Sequence, residues 1–250
     1  MILNAALAPL LAVFLVAVGA VERAFAQSLV ADLSAHEIAI TAGFSGTELL
    51  LFGATEGDGD VIVVVRGPNA TMNVRRKSRV LGIWINTESM RFHEVPSFYR
   101  VASSKPIDQI TTAGMRQRLQ IGIDAVRARP ARETSPERLA EFRGGLIRNK
   151  VRDQLWDDAP AQVNFLGPKL FRTTIKFPPN VPTGNYMVEV FLVKDGREVG
   201  GQTTPMRVKK TGIGATIYDF AHQRAALYGL VAVLVAVVAG WSASAAFRRG

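Results

Sequence analysis

The sequence predicts a mainly β protein carried on one C-terminal transmembrane helix, with two immunoglobulin-like β-sandwich regions separated by a helical insert. Three observations lead there. Short β-rich runs such as Leu49-Leu50-Leu51-Phe52 and Val61-Ile62-Val63-Val64-Val65 flank a Gly- and Asp-rich turn segment. The apolar spacing turns helical between Lys105 and Asp158 and then reverts to strand character. Finally, Ala225 to Phe247 is a run of 23 residues without a charge, ended by Arg248-Arg249-Gly250. Such a run crosses a bilayer as a helix, with its basic end on the cytoplasmic side.

Residues 1–26 read as a signal peptide. Met1 to Val21 is apolar apart from Asn4, and Ala24-Phe25-Ala26 has the small-x-small form of a cleavage site. The segment has no Lys or Arg ahead of its apolar stretch, so an uncleaved N-terminal anchor stays open beside cleavage before Gln27. Either way the following body lies outside the cytoplasm.

Residues 27–104 are expected to form the N-terminal β-sandwich domain. Further strands are expected at His36 to Ala42, Thr71 to Arg79, Val80 to Asn86 and Phe98 to Ala102. Residues 105–159 form the helical insert, with a helix from about Pro136 to Trp156. Thr134 and Glu137 have capping-box spacing, Pro136 suits the first turn, and Gly144-Gly145 weakens the middle. In residues 160–211, the C-terminal immunoglobulin-like region, strands are expected at Val163 to Phe165, Leu170 to Phe177, Tyr186 to Lys194 and Val199 to Val208. The Pro- and Gly-rich entry to Tyr186 looks like a tyrosine corner, in which the phenol ties back to the loop before it. Phe191 and Val193 fall on the face opposite Val190 and Leu192 and are either covered or a contact surface. Residues 212–224 are a juxtamembrane segment, 225–247 the membrane helix and 248–250 a cytoplasmic tail.

Composition narrows the chemistry. With 48% hydrophobic and 20% charged residues, the roughly 200 residues between signal and anchor hold enough apolar surface for a folded core. Cysteine is absent, which excludes thiolate catalysis, thiolate metal sites, lipoprotein attachment and disulfides. The net charge of +9 suits anionic head groups, an acidic partner or small anions. Nucleic acid is not an expected partner of an exported protein.

No catalytic, cofactor or metal site is expected. His36, His93 and His222 lie in separate regions without ligand spacing. Glu56, Asp58 and Asp60 lack the distal glutamate of a calcium loop and suit a hairpin turn. Asp157 and Asp158 are adjacent and so point to different sides, a poor acid/base pair.

The basic clusters are more informative. In an extended strand Arg75, Lys77 and Arg79 project to one face as an anion-attracting row, and they are the candidate anion- or partner-binding residues. A second set from Arg116 to Arg152 sets ten basic residues against four acidic ones, the pattern of a solvated surface or an anionic contact. In the membrane helix Ala232, Ala236, Gly240 and Ser244 make a small-residue stripe for close helix packing. Asp219 and His222, just outside the bilayer, are either a pair that relays a proton or simply solvated. Tyr218, Tyr228 and Trp241 suit interfacial anchors.

Six motifs in order carry a resemblance: Val30-Ala31-Asp32-Leu33-Ser34, Leu50-Leu51-Phe52-Gly53-Ala54, Val64-Val65-Arg66-Gly67-Pro68, Pro96-Ser97-Phe98-Tyr99, Ile147-Arg148-Asn149-Lys150 and Ile217-Tyr218-Asp219-Phe220-Ala221-His222. Together they resemble a family of transmembrane proteins described mainly from alphaproteobacteria, over essentially the whole chain after the signal. The resemblance implies a periplasmic ectodomain on the inner membrane, and association with permeases that export sulfite or organosulfonates. It brings no activity and no catalytic residue, because the family is named for its topology.

The expected function is a non-catalytic, membrane-anchored periplasmic accessory subunit of a multipass inner-membrane protein, of the anion-exporter type. Its partners would be that protein, the lipid bilayer and a small anion. The alternative is a periplasmic folding or assembly factor that binds clients through a sandwich edge or the Phe191 and Val193 face.

Overall fold

A computed structural model describes residues 29–212 and 220–247. The expected signal peptide, the start at Gln27, Tyr218, Asp219 and the tail 248–250 lie outside the described residues.

The protein is mainly β, and the strands of its two larger sheets come from both ends of residues 29–212. One sheet has the order β1 (Leu29–Leu33), β3 (Thr47–Thr55), β11 (Leu170–Phe177), β10 (Asn164–Phe165). The second runs β2 (Glu37–Ile40), β13 (Arg197–Lys210), β12 (Gly184–Lys194), β4 (Asp60–Arg66), β7 (Tyr99–Ser103), β9 (Ala161–Gln162). Strands from 27–104 therefore pair with strands from 160–211 in both sheets, β3 with β11 and β4 with β12. A third sheet is a long hairpin, β5 (Asn69–Val80) and β6 (Ile83–Pro96), joined at its base by β8 (Arg129–Pro130).

Alternating side chains fill the space between the first two sheets. Phe171, Thr173, Ile175 and Phe177 point inward from β11, against Val188, Val190 and Leu192 of β12. In β4 the alternation vanishes because both faces are covered. Val61, Val63 and Val65 enter this sandwich core, while Ile62 and Val64 enter a second core on the other side of the sheet. All five are at most 1% exposed. An unbroken aliphatic run is the composition that such a strand requires.

The helical insert roofs the second core. It contains α1 (Ile107–Ile110), α2 (Ala113–Leu119) and α3 (Pro136–Arg152). Phe142, Leu146 and Lys150, four residues apart, form the buried stripe of α3. Phe191 and Val193 lie beneath this roof, at 7% and 1% exposure, so the exposed contact face considered for them is corrected to a covered one.

Three further expectations shift. The cap of α3 is Ser135, whose hydroxyl accepts the Arg138 N–H at 3.4 Å, and not Thr134. Ser135 stands directly before Pro136 at the first helical position, where the missing N–H costs nothing. The helix ends at Arg152 and does not reach Trp156, because Gln154 turns left-handed (φ 58°) and Trp156 runs on as a β-bridge to Tyr99. Val80 closes β5 and does not open the next strand, since the turn falls at Leu81-Gly82.

The tyrosine corner is present: the Tyr186 hydroxyl donates to the Pro182 carbonyl at 2.6 Å. Its ring packs with Phe98 and Phe177, centroids 5.6 and 6.1 Å away. Gly67 lies against this cluster, and a Cβ there would come within 3.0 Å of Phe98, Ser97 and Tyr186. That close approach gives physical content to the Val64-Val65-Arg66-Gly67-Pro68 motif.

Candidate functional site

The two faces of the β5–β6 hairpin change character along its length. At the root, Val74, Met90 and Phe92 are buried in the second core under α3. Beyond Arg75 the ribbon leaves the body, since β8 pairs only with Phe92 and His93. An ion network marks the exit: Arg76 pairs with Glu141 of α3 at 2.9 Å and with Glu88, and Arg138 of α3 pairs with Glu88 at 2.8 Å. Two cations and two carboxylates cancel there.

From Lys77 round the tip to Thr87 the ribbon carries no acidic residue. Arg75, Lys77 and Arg79 are exposed on β5 at alternate positions, as expected, and have no acidic partner among the described residues. Arg79 Nε donates to the Gly82 carbonyl at 3.2 Å and so braces the turn. Residues opposite one another in an antiparallel pair share a face. Lys77 stands opposite Asn86 and Arg79 opposite Trp84, while Ser78 faces Ile85 and Val80 faces Ile83. One face of the tip is thus basic with a tryptophan, and the other is aliphatic.

The turn residues Leu81 and Gly82 have φ of 50° and 86°, the positive pair a two-residue primed turn requires. Leu81 is 98% exposed, Ile83 67%, Trp84 66%, Ile85 45% and Val80 43%. Sequence reading found the basic row but took the neighbouring apolar run for an ordinary strand. The available signal was a Leu-Gly turn between a basic run and an apolar one, where turn chemistry favours Asn or Asp ahead of Gly.

Buried and half-buried ionisable groups link the second sheet to the segments that roof it. Arg66 pairs with Glu189 and donates to the Gln120 carbonyl at 3.3 Å, and burial lowers its pKa. Arg100 holds Asp157 at 2.7 Å; burial raises the Asp157 pKa while the guanidinium opposes that shift. Lys150 donates to the Ser97 carbonyl at 3.1 Å with its pKa lowered by burial. Burial pushes the Tyr99 phenol up to about 12; it donates to the Gln120 carbonyl at 2.7 Å and accepts from the Gly122 N–H at 2.9 Å.

The other sequence candidates do not converge. Asp60 is occupied by Ser104 and Lys105 at the start of β4. His36 pairs with Asp32, and His93 bonds Thr71. Among the described residues no three His, Cys, Asp or Glu side chains are grouped to hold a metal. His222 lies in the helical turn 220–223, and its proposed companion Asp219 is outside the described residues.

The helix α4 (Ala225–Phe247) is apolar along its length, and none of Ala225–Ser244 is buried against the rest of the chain. Ala232, Ala236, Gly240 and Ser244 are all exposed at four-residue spacing. A family model described as "Putative transmembrane protein (Alph_Pro_TM)" matches residues 28–249. No curated protein matches the chain.

Proposed function

The chain belongs to this family of alphaproteobacterial transmembrane proteins, and from that premise we propose that it is a non-catalytic accessory subunit of a multipass inner-membrane protein, its β body in the periplasm and its C-terminus in the cytoplasm. The observation that carries this reading is α4: among the described residues the one apolar helix long enough to span a membrane, unburied by its own body, with a stripe of small residues. In lipid, helices associate by close packing, and small side chains allow it. The half-buried ion pairs and the buried lysine support it further, since each is engaged in structural contacts within the body.

An anion-exporting partner gives the basic arm a use. Residues two apart on a strand are about 7 Å apart, so Arg75, Lys77 and Arg79 form an extended positive field rather than a chelating cup. Such a field raises local anion concentration without holding one ion. The alternative, a folding factor, is favoured by the outer face of the first sheet, where Val30, Phe52 and Leu170 are about half exposed.

The test is purification of the tagged full chain from its native membrane in mild detergent, with mass spectrometry of what stays bound. One multipass protein in near-stoichiometric amount, lost on Gly240→Leu, is the expected result. Recovery of the protein alone, or with a scatter of exported chains, would sink the subunit reading.

A further inference from the structure

We propose that the tip of the β5–β6 arm is a wedge that enters the headgroup region of an anionic lipid bilayer, the same bilayer that α4 spans. The inference rests on the anchor alone and holds whatever protein packs against α4.

Contiguous exposed apolar surface marks an interaction site, and the tip consists of five such residues, Val80, Leu81, Ile83, Trp84 and Ile85. Their arrangement selects the occupant. The apolar groups lie on both faces and at the point of a two-stranded ribbon, so a flat protein surface would cover only one side. Fluid lipid closes around all of them. Leu81 strengthens the case because it occupies a left-handed position, φ 50°, with 98% of its surface in solvent. A leucine there costs conformational energy and gains no burial within the chain.

Charge complements shape. Arg79, Lys77 and Arg75 follow one another back from the apolar tip at intervals of about 7 Å, so the row runs from the level of the phosphates outward once the tip is in. Their long stems lie along apolar surface while the heads stay wet. Each cation held near an anionic membrane surface strengthens association about fivefold. Trp84, on the basic face, has the amphipathic ring favoured at the membrane interface.

The backbone sets the depth. Beyond β8 the outward N–H and C=O groups of the ribbon have no neighbouring strand, and such groups do not enter hydrocarbon unpaired. The wedge therefore stops among the headgroups. Reach is sufficient: from buried Val74 to Leu81 the ribbon extends about 24 Å, and the chain from Thr211 to Arg224 spans at most about 50 Å, which keeps the body near the bilayer.

The cysteine-free chain allows a direct test. The full-length protein carrying Leu81→Cys is labelled with an environment-sensitive fluorophore and reconstituted in phosphatidylglycerol–phosphatidylcholine vesicles. Lipids bearing a quencher near the headgroup should quench it, and should spare a probe at Asp58→Cys in the β3–β4 turn. A probe at Asn86→Cys, which leaves all five apolar residues in place, should be quenched too. Substituting Arg75→Gln, Lys77→Gln and Arg79→Gln together should lower the insertion equilibrium about a hundredfold, as should pure phosphatidylcholine. A tip probe that stays water-exposed in anionic vesicles overturns the proposal, as does insertion indifferent to lipid charge. A probe exposed in pure lipid but shielded in native membranes overturns it in favour of a protein partner.

Discussion

Removing the Tyr99 hydroxyl should produce a stability defect that disappears at high pH. The ring is fully buried between the second sheet and the helical roof, edge-on to Trp156 at 5.9 Å. In Tyr99→Phe the Gln120 carbonyl keeps Arg66 as a donor, whereas the Gly122 N–H loses the acceptor it has in Tyr99. A buried donor left unpaired costs about 2 kcal/mol. In the wild type the phenol pKa is about 12, against about 10 in the unfolded chain. The folded state therefore holds its proton longer, so this contribution is complete below pH 10 and is lost as pH rises toward 12. By pH 12 the loss reaches about 2.3 kcal/mol. Tyr186, also raised by burial, contributes equally to both proteins. Urea unfolding of the full chain in non-ionic detergent, followed by far-UV circular dichroism, should show a gap of about 2 kcal/mol at pH 8 that closes near pH 12. A gap that stays constant across that range would refute the buried, doubly bonded phenol.

The two glycines of α3 should behave oppositely. A Cβ at Gly144 meets only the mobile guanidinium of Arg148, so Gly144→Ala should gain about 0.5–1 kcal/mol in helix propensity; at Gly145 it meets Val74 at 3.3 Å, and that gain should be cancelled or reversed, as read by thermal unfolding. Ser135→Ala should cost about 1 kcal/mol in urea unfolding, while Thr134→Ala should stay within about 0.5 kcal/mol of wild type. Tyr186→Phe should cost about 1–2 kcal/mol by the same measurement, because its 2.6 Å bond to the Pro182 carbonyl is lost.

The parts that were legible in sequence are those where local pattern and tertiary demand agree. Leu170–Phe177 is β11 with the expected ends, its burial alternating strictly although Leu170 is exposed and Thr173 buried. Val61–Val65 is unbroken because two cores meet at β4, and the Pro-Gly entry to Tyr186 constrains its corner. The cap was misplaced because Thr134 and Ser135 are both capable of capping and Pro136 is compatible with either. Phe191 and Val193 announced a second apolar face, but nothing local identifies the cover, which comes from a core shared with residues as distant as Phe142 and Leu146 of α3. The arm was half legible. Its basic row follows from alternation, whereas Val80 to Ile85 has the composition of a core strand and differs only in that no other element reaches it.

The order in which β4 acquires its neighbours bears on how the protein is made. Val61-Ile62-Val63-Val64-Val65 pairs on one side with β7, about forty residues later, and on the other with β12, more than a hundred residues later. Until Gly184–Lys194 arrives, one edge of the stickiest segment in the chain stays open, flanked only by Asp60 and Arg66 as charged guards. Non-local pairing of this kind is slow. The last strand, β13, finishes only 14 residues before α4 begins, so closure of the sandwich and entry of the anchor into the membrane fall almost together. The machinery that makes this chain must therefore keep β4 from other unpaired strands while more than a hundred further residues are added.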